Sequence, residues 1–456
     1  MPNRPNVVSL SKSAVDILNA IRNGASTNYR DYVPEADTSL DSLRAIGDVV
    51  MNYDALQNEF LSALINRIGR VIITSKMYSN PWNMLKKGKL EFGETIEEVF
   101  VNIAKPFQYD PAVAESKIFQ REIPDVRAAF HFLNYKKFYK ATIQQEQLRQ
   151  AFLSWSGITD LISKIVDAMY TGANYDEFLT MKYLIARQLA SGRLYPVTIP
   201  AVTKTNATDI VSEIKGISND YEFMKTKYNE AGVSTYSYKT SQFLIVNAKF
   251  DAIMDVNVLA SAFNMSKAEF MGRKILVDSF GDMDMERLKK LFENDPTFYE
   301  FSAEELEALD AIPAILIDED WFMIFDNLEN FTENFNGQGM YWNYWYHVWK
   351  TFSVSPFANA SLFIPATPSV TSVTINPSTV TTSAGSVVGL VATVVTENFA
   401  PQAVNWTIPE IAGVSIDNMG VVSIAPDVTS GTEIEVTATS VFDDSVSGTA
   451  TITVAW

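Results

Sequence analysis

No lysine or arginine follows Lys350, although more than a hundred residues remain in the chain. A segment without cations cannot form ion pairs within itself. It must fold through apolar alternation and backbone pairing alone. Residues 351–456 carry eight acids, Glu397, Glu410, Asp417, Asp427, Glu433, Glu435, Asp443 and Asp444, among many Thr, Val and Ser residues. Their alternating runs, broken by turns, predict a small all-β sandwich. Pro365-Ala366-Thr367-Pro368-Ser369 reads as the linker in front of it. A composition break this sharp marks a domain boundary.

Composition bounds the remainder. The chain has 456 residues, 47% of them hydrophobic, which at ~150 residues per domain suggests two to four domains. It has no run of about eighteen apolar residues that would span a bilayer. Met1 to Asn6 holds no secretory apolar core, so the chain is expected to work without crossing a membrane. The absence of cysteine excludes disulfides, thiolate nucleophiles and zinc ribbons. A net charge of −18 argues against a broad phosphate-neutralising face. The two histidines, His131 and His347, are too few for most histidine metal sites.

Residues 1–75 read as mixed helix and loop. A long interrupted hairpin follows Lys86-Lys87-Gly88-Lys89. Leu90 and Phe92 alternate, Gly93 turns, Ile96, Val99, Val101 and Ile103 follow, and a return strand runs from Ile123 through Phe130, Phe132 and Tyr139. Residues 143–170 carry the strongest helical periodicity, with Leu148, Phe152, Trp155, Ile162, Ile165, Val166 and Met169 at i, i+3, i+4 and i+7 spacing. A second helix over 175–190 ends at Ser191-Gly192, a glycine cap. Residues 196–330 mix strands (243–246, 315–317, 321–325) with short helices, among them 252–263 and 284–293. Tyr341 to Phe352 is a very aromatic strand.

Asp282, Asp284, Glu286 and Glu293 mimic calcium-loop positions, but Arg287 stands where the loop needs glycine, so a solvated helix face is favoured. Asp318-Glu319-Asp320 reads as a loop rather than a cation site or catalytic pair, because adjacent strand residues diverge; Glu97-Glu98 fails the same test. In the aromatic strand, Tyr341, Trp345 and Trp349 share one face and Trp342, Tyr344 and Tyr346 the other. Two aromatic faces suggest burial on both sides, in a central strand or at a subunit interface, with His347 a core histidine. Sugar or base stacking is the rival use of these rings. Lys86, Lys87 and Lys89, with Lys136, Lys137 and Lys140, are the densest basic clusters. They read as contacts to acidic patches on neighbouring subunits in preference to nucleic acid. No phosphate loop, dinucleotide fingerprint, zinc-protease or nucleophile-elbow motif occurs, so the residues point to a structural or binding protein.

Two resemblances sharpen this. Residues 371–456 resemble a bacterial immunoglobulin-like domain of group 2, through Val373-Thr374-Ile375-Asn376-Pro377, Ala384-Gly385, Val404-Asn405-Trp406, Gly420-Val421-Val422, Thr437-Ala438-Thr439 and Ala450-Thr451-Ile452-Thr453-Val454. Residues from about 17 to 364 resemble the major head protein of small, protein-primed, short-tailed phi-29-like phages. The resemblance is carried by Asn19-Ala20-Ile21-Arg22-Asn23, Tyr32-Val33-Pro34, Arg121-Glu122-Ile123-Pro124, Ala151-Phe152-Leu153-Ser154-Trp155, Asp320-Trp321-Phe322-Met323 and His347-Val348-Trp349. Phe357-Ala358-Asn359-Ala360 extends it.

That family implies an α+β chain with the Hong Kong 97-type capsid fold. Its expected divisions are an N-terminal arm (1–75), an extended loop (76–140), a spine helix and peripheral domain (141–195) and an axial domain (196–330). A return strand (331–364), a linker (365–370) and the immunoglobulin-like domain (371–456) complete it. It further implies self-assembly into pentamers and hexamers enclosing double-stranded DNA, with a scaffolding protein and a portal at one vertex as partners. Assembly in the host cytoplasm, no cofactor, no metal and no catalysis are also implied. Lys86, Lys87, Lys89, Phe152, Trp155, Trp345 and Trp349 are the expected assembly residues. A surface or carbohydrate-binding protein using the immunoglobulin-like module is the alternative.

Overall fold

Ser39 opens a helix by accepting the Ser42 backbone N–H, and Ser302 and Glu305 close a reciprocal capping box on another; each such cap stabilises a helix start by about 1 kcal/mol. The computed structural model describes residues 10–71, 78–91, 95–107, 121, 124–153, 167–253 and 273–455. The chain divides into two units. The first is 1–95, 132–180 and 324–352; the second is 96–131, 181–323 and 353–456.

In chain order the strands are β1 (Gly88–Lys89), β2 (Ile96–Val101), β3 (Val126–His131), β4 (Tyr135–Gln144), β5 (Tyr195–Thr198), β6 (Gln242–Asn247), β7 (Lys274–Val277), β8 (Ala314–Asp318), β9 (Phe322–Asn336), β10 (Tyr341–Val354) and β11 (Ala360–Ile364). The C-terminal stretch adds β12 (Ser369–Asn376), β13 (Thr379–Ser383), β14 (Val387–Gly389), β15 (Val391–Glu397), β16 (Val404–Thr407), β17 (Val414–Ile416), β18 (Val421–Ile424), β19 (Glu433–Ser440) and β20 (Ser447–Ala455). Helices and mixed sheets together make an α+β protein.

The first unit joins helices to a sheet of order β1-β9-β10-β4. Residues 10–71 are mostly helix, in place of the expected mixture with loop; Leu43, Ile46, Val50, Phe60, Leu61 and Leu64 are buried there. The start of the expected helix over 143–170 is corrected. Ile143 and Gln144 belong to β4, because β10 pairs with them at Trp342 and Tyr341. Among the described residues a helix covers Gln145–Ala151, Phe152 and Leu153 form a turn, and Asp167–Thr171 is π-helical. Trp155, Ile162, Ile165 and Val166 lie outside the described residues, as does the hairpin turn placed at Gly93. The next helix, Gly172–Ala190, starts earlier than predicted. It ends as predicted: Gly192 (φ 61°) donates to the Leu189 carbonyl and Arg193 to that of Gln188, closing a left-handed glycine cap.

The second unit holds a five-stranded sheet of order β5-β11-β8-β6-β7. All residues of β6, β8 and β11 are buried, as mixed sheets covered on both faces require. Helix Ala207–Asp220 covers it with Ile210, Val211 and Ile214. Asp318 is the last residue of β8 and is buried, instead of lying in a loop. Its carboxylate accepts the Asp320 N–H. Burial, the dominant effect, raises its pKa.

The C-terminal strands form sheets β13-β20-β19-β16, β14-β18-β17 and β12-β15 around a single apolar core that includes Val373, Leu390, Val422, Ile434 and Ile452. Gly420 (φ 79°) turns the chain where an added Cβ would meet the Leu390 carbonyl and the Trp406 ring, each at 2.7 Å. This explains the glycine quoted above before Val421-Val422.

Candidate functional site

In the second unit, β2 and β3 pair antiparallel from Ile96↔His131 to Val101↔Val126. Strand alternation splits this hairpin into two faces. Val99, Val101, Val126 and Phe130 point outward, each more than half exposed, beside Ala128 and Glu97. Ile103 and Phe107 continue the exposed apolar surface. The inward face is mixed: it carries all but one of the hairpin's polar residues, Glu98, Arg127 and His131, with Ile96, Phe100 and Ala129. A soluble hairpin normally turns its apolar face inward. Here the more apolar face is the outward one, which makes it a candidate surface for a partner.

The inward face is bonded throughout. His131 Nδ1 lies 2.7 Å from Ser353 Oγ, and Nε2 lies 3.2 Å from Glu98 Oε2. The Ser355 hydroxyl donates to Glu98 Oε1 at 2.7 Å. Arg127 Nη1 donates to the Ala231 carbonyl, and Phe100 stacks on Phe357 with centroids 5.5 Å apart. As expected, Glu97 and Glu98 diverge. The single return strand expected through Phe130, Phe132 and Tyr139 is two strands, β3 and β4. Between them Asn134 binds both the N–H and the carbonyl of Phe352, replacing a ladder pair.

The predicted assembly residues fall in different places. Lys86 is directed into its own chain, 2.6 Å from Asp326 Oδ2 and 3.3 Å from Glu177 Oε2. Lys350 joins the same pair of carboxylates, and Asn80 donates to the second oxygen of Glu177. Burial opposes the charge on Lys350, but Glu177 and Asp326 outweigh it and raise its pKa; burial likewise opposes ionisation of Asp326, yet Lys350 and Lys86 hold it below the ordinary value. Lys87 and Lys89 are exposed. Phe152 is buried against Phe60, with ring centroids 5.3 Å apart.

The aromatic strand is central in its sheet, between β9 and β4, and within the chain only one of its faces is fully buried. Trp342, Tyr344, Tyr346 and Val348 face the core. Trp345 and Trp349 are half-buried beneath the ammonium groups of Lys140 and Lys136. His347 sits between them, near Phe138 and 3.1 Å from Thr332 Oγ1, and is not a core histidine. Asp284 accepts the Arg287 N–H as a helix cap. Among the described residues no cluster of three or more His, Asp or Glu is placed to hold a metal ion.

Sequence reasoning missed His131, whose partner Ser353 is 222 residues away. A signal was present: Val99, Val101 and Ile103 recur at period two while Glu98 falls on the opposite face.

Residues 18–364 match the family model described as the Phi29-like phage major capsid protein. The major capsid protein of Bacillus phage B103 is 34% identical over 429 residues, 92% of this chain and 89% of that protein. That of Bacillus phage PZA is 33% identical over 416 residues, 90% of this chain and 86% of that protein. Matches this long must run past residue 364 into the C-terminal strands. The major capsid protein of Streptococcus phage Cp-1 is 28% identical over 365 residues, 76% of this chain but 93% of that protein. Among solved structures, the chain is similar to the capsid of Staphylococcus phage Andhra, with 16% identity and a TM-score of 0.49 over 65% of this chain and 86% of that one.

Proposed function

Because this chain belongs to the Phi29-like phage major capsid protein family and is a building block of a phage head, we propose that its copies associate through the outward face of hairpin β2–β3. The observation that carries this reading is the hairpin's more apolar face, turned outward, with its inward face bonded. Moving each half-exposed Val or Phe of that face under a neighbouring copy is worth about 1 kcal/mol. A shell repeats the contact at every subunit. Interfaces of permanent assemblies bury about 2,000 Å² or more, so further surfaces take part. Lys87 and Lys89, and the Trp345 and Trp349 face with its lysines, are the next candidates.

In this reading the shell is of the Hong Kong 97 type, built of pentamers and hexamers and closed by symmetry around double-stranded DNA. A scaffolding protein, a portal and assembly in the host cytoplasm belong to the same proposal. The C-terminal sheets are an immunoglobulin-like appendage. Their self-contained core supports this.

The test replaces Val99 and Phe130 by Asp. The expected outcome is a folded, soluble chain that forms no shells in negative-stain micrographs when co-expressed with its scaffold. Normal shells from the double variant would remove this face from the interface.

A further inference from the structure

Hairpin β2–β3 must be held with its more apolar face away from its own chain, and its inward face shows how. Both oxygens of Glu98 are engaged, one with the Ser355 hydroxyl at 2.7 Å and one with His131 Nε2 at 3.2 Å. An ionised carboxylate only accepts, so Nε2 of His131 is the donor to Glu98. Nδ1 is hydrogen-bonded to the Ser353 hydroxyl at 2.7 Å. The ring is 2% exposed. One imidazole thus ties β2, through Glu98, and β3, its own strand, to the end of β10.

The order of contacts, hydroxyl to imidazole to carboxylate, is that of a hydrolase relay. The burial of the ring argues for holding rather than catalysis. Three hydrogen bonds, two of them to the Glu98 carboxylate, restrain motion strongly, and losing the ring leaves Glu98 and Ser353 short of a partner.

We propose that His131 is a positioning residue for assembly: a latch between Glu98 and Ser353 that fixes hairpin β2–β3 with its apolar face turned outward. The latch rests on the assembly reading above only for what the face is used for. Opening it lets the hairpin detach locally and turn its apolar residues back toward its own chain or into disorder, while the five-stranded sheet stays folded.

Hydrogen exchange on the soluble, unassembled full chain tests this, with His131→Phe, His131→Gln and Ser353→Ala. Amide exchange in 96–101 and 126–131 should rise roughly tenfold or more in His131→Phe. Protection of β6 and β8 should stay unchanged. His131→Gln, which keeps one hydrogen-bonding arm, should recover part of the protection. Ser353→Ala, which retains the ring, should show a smaller rise, and it keeps the test available if His131→Phe does not fold. Unchanged hairpin exchange in His131→Phe and Ser353→Ala would overturn the proposal. An equal rise in β6 and β8 would also overturn it, by making His131 an ordinary packing residue. If the wild-type chain shows the latch but its shells tolerate charge on Val99 and Phe130, the assembly reading fails and the latch stands.

Discussion

Asp326 receives both lysines of its cluster at once: Lys86 Nζ lies 2.6 Å from Oδ2 and Lys350 Nζ 2.5 Å from Oδ1. With Glu177 this makes two cations and two carboxylates, all largely removed from water. Such a set contributes little over a well-packed apolar substitute, but removing one member strands a charge.

Lys350→Met should therefore lower stability by about 3–5 kcal/mol, read as a shift in the denaturant midpoint at unchanged slope. Lys86, half of whose role Lys350 can cover, should cost less. Lys87→Glu and Lys89→Glu should stay within about 0.5 kcal/mol. A large loss at Lys87 would show that the basic cluster acts as one group.

The same cluster sets an acid limit. The carboxyl of Asp326 is held below its ordinary value of 3.8. Its contribution is therefore complete above that value and is lost as pH falls through the lowered one. Lys350 is raised above 10.5, so its contribution is complete below that pH and is lost only in strong alkali. Melting temperature should be flat in this respect near neutrality and fall below about pH 4. The fall should be shallower in Asp326→Asn, which starts less stable.

Phe152 rests on Phe60, and a Cβ built on Gly47 would come within 2.7 Å of the Phe152 Cβ. Phe152→Ala should cost about 3–5 kcal/mol, and Phe152→Asp should give insoluble chain. Gly47→Ala would normally help a helix, but here overpacking should destabilise by about 1–3 kcal/mol. The double variant Gly47→Ala/Phe152→Ala, which removes the Cγ that the added Cβ would meet at 2.9 Å and leaves room for the helix to shift, should cost less than the sum of the two single changes. Independent, additive effects would show that the two residues do not meet.

Truncation after Ile364 should leave a chain that still forms shells with its scaffold, of lower stability. The C-terminal core draws no residue from before Val370, so its removal opens no hole in the sheet of order β5-β11-β8-β6-β7. The close approach at Gly192 is lost, where an added Cβ would stand 2.4 Å from the Ala400 carbonyl. Particles are scored by sedimentation and micrographs. Soluble, folded but unassembled 1–364 would make the appendage part of the lattice.

The sequence alone determined the elements whose signal is local. The C-terminal strands, the aromatic strand β10 and the helix closed by Gly192 follow from alternation, aromatic density and a glycine cap. Membership of the capsid family was also legible there, because its motifs stand in order along the chain. Tertiary structure decided what depends on distant partners. Ile143 and Gln144 fit a helical period, yet β10 takes them into a sheet at Trp342 and Tyr341, because a ladder pair outweighs weak local propensity. Lys86 looks like a surface cation until Asp326 and Glu177 close on it. His131 looks like an isolated histidine until Ser353 arrives from the far end of the chain. Charge and hydrogen bonding act through space, and along the chain these partners lie between about ninety and two hundred and forty residues apart.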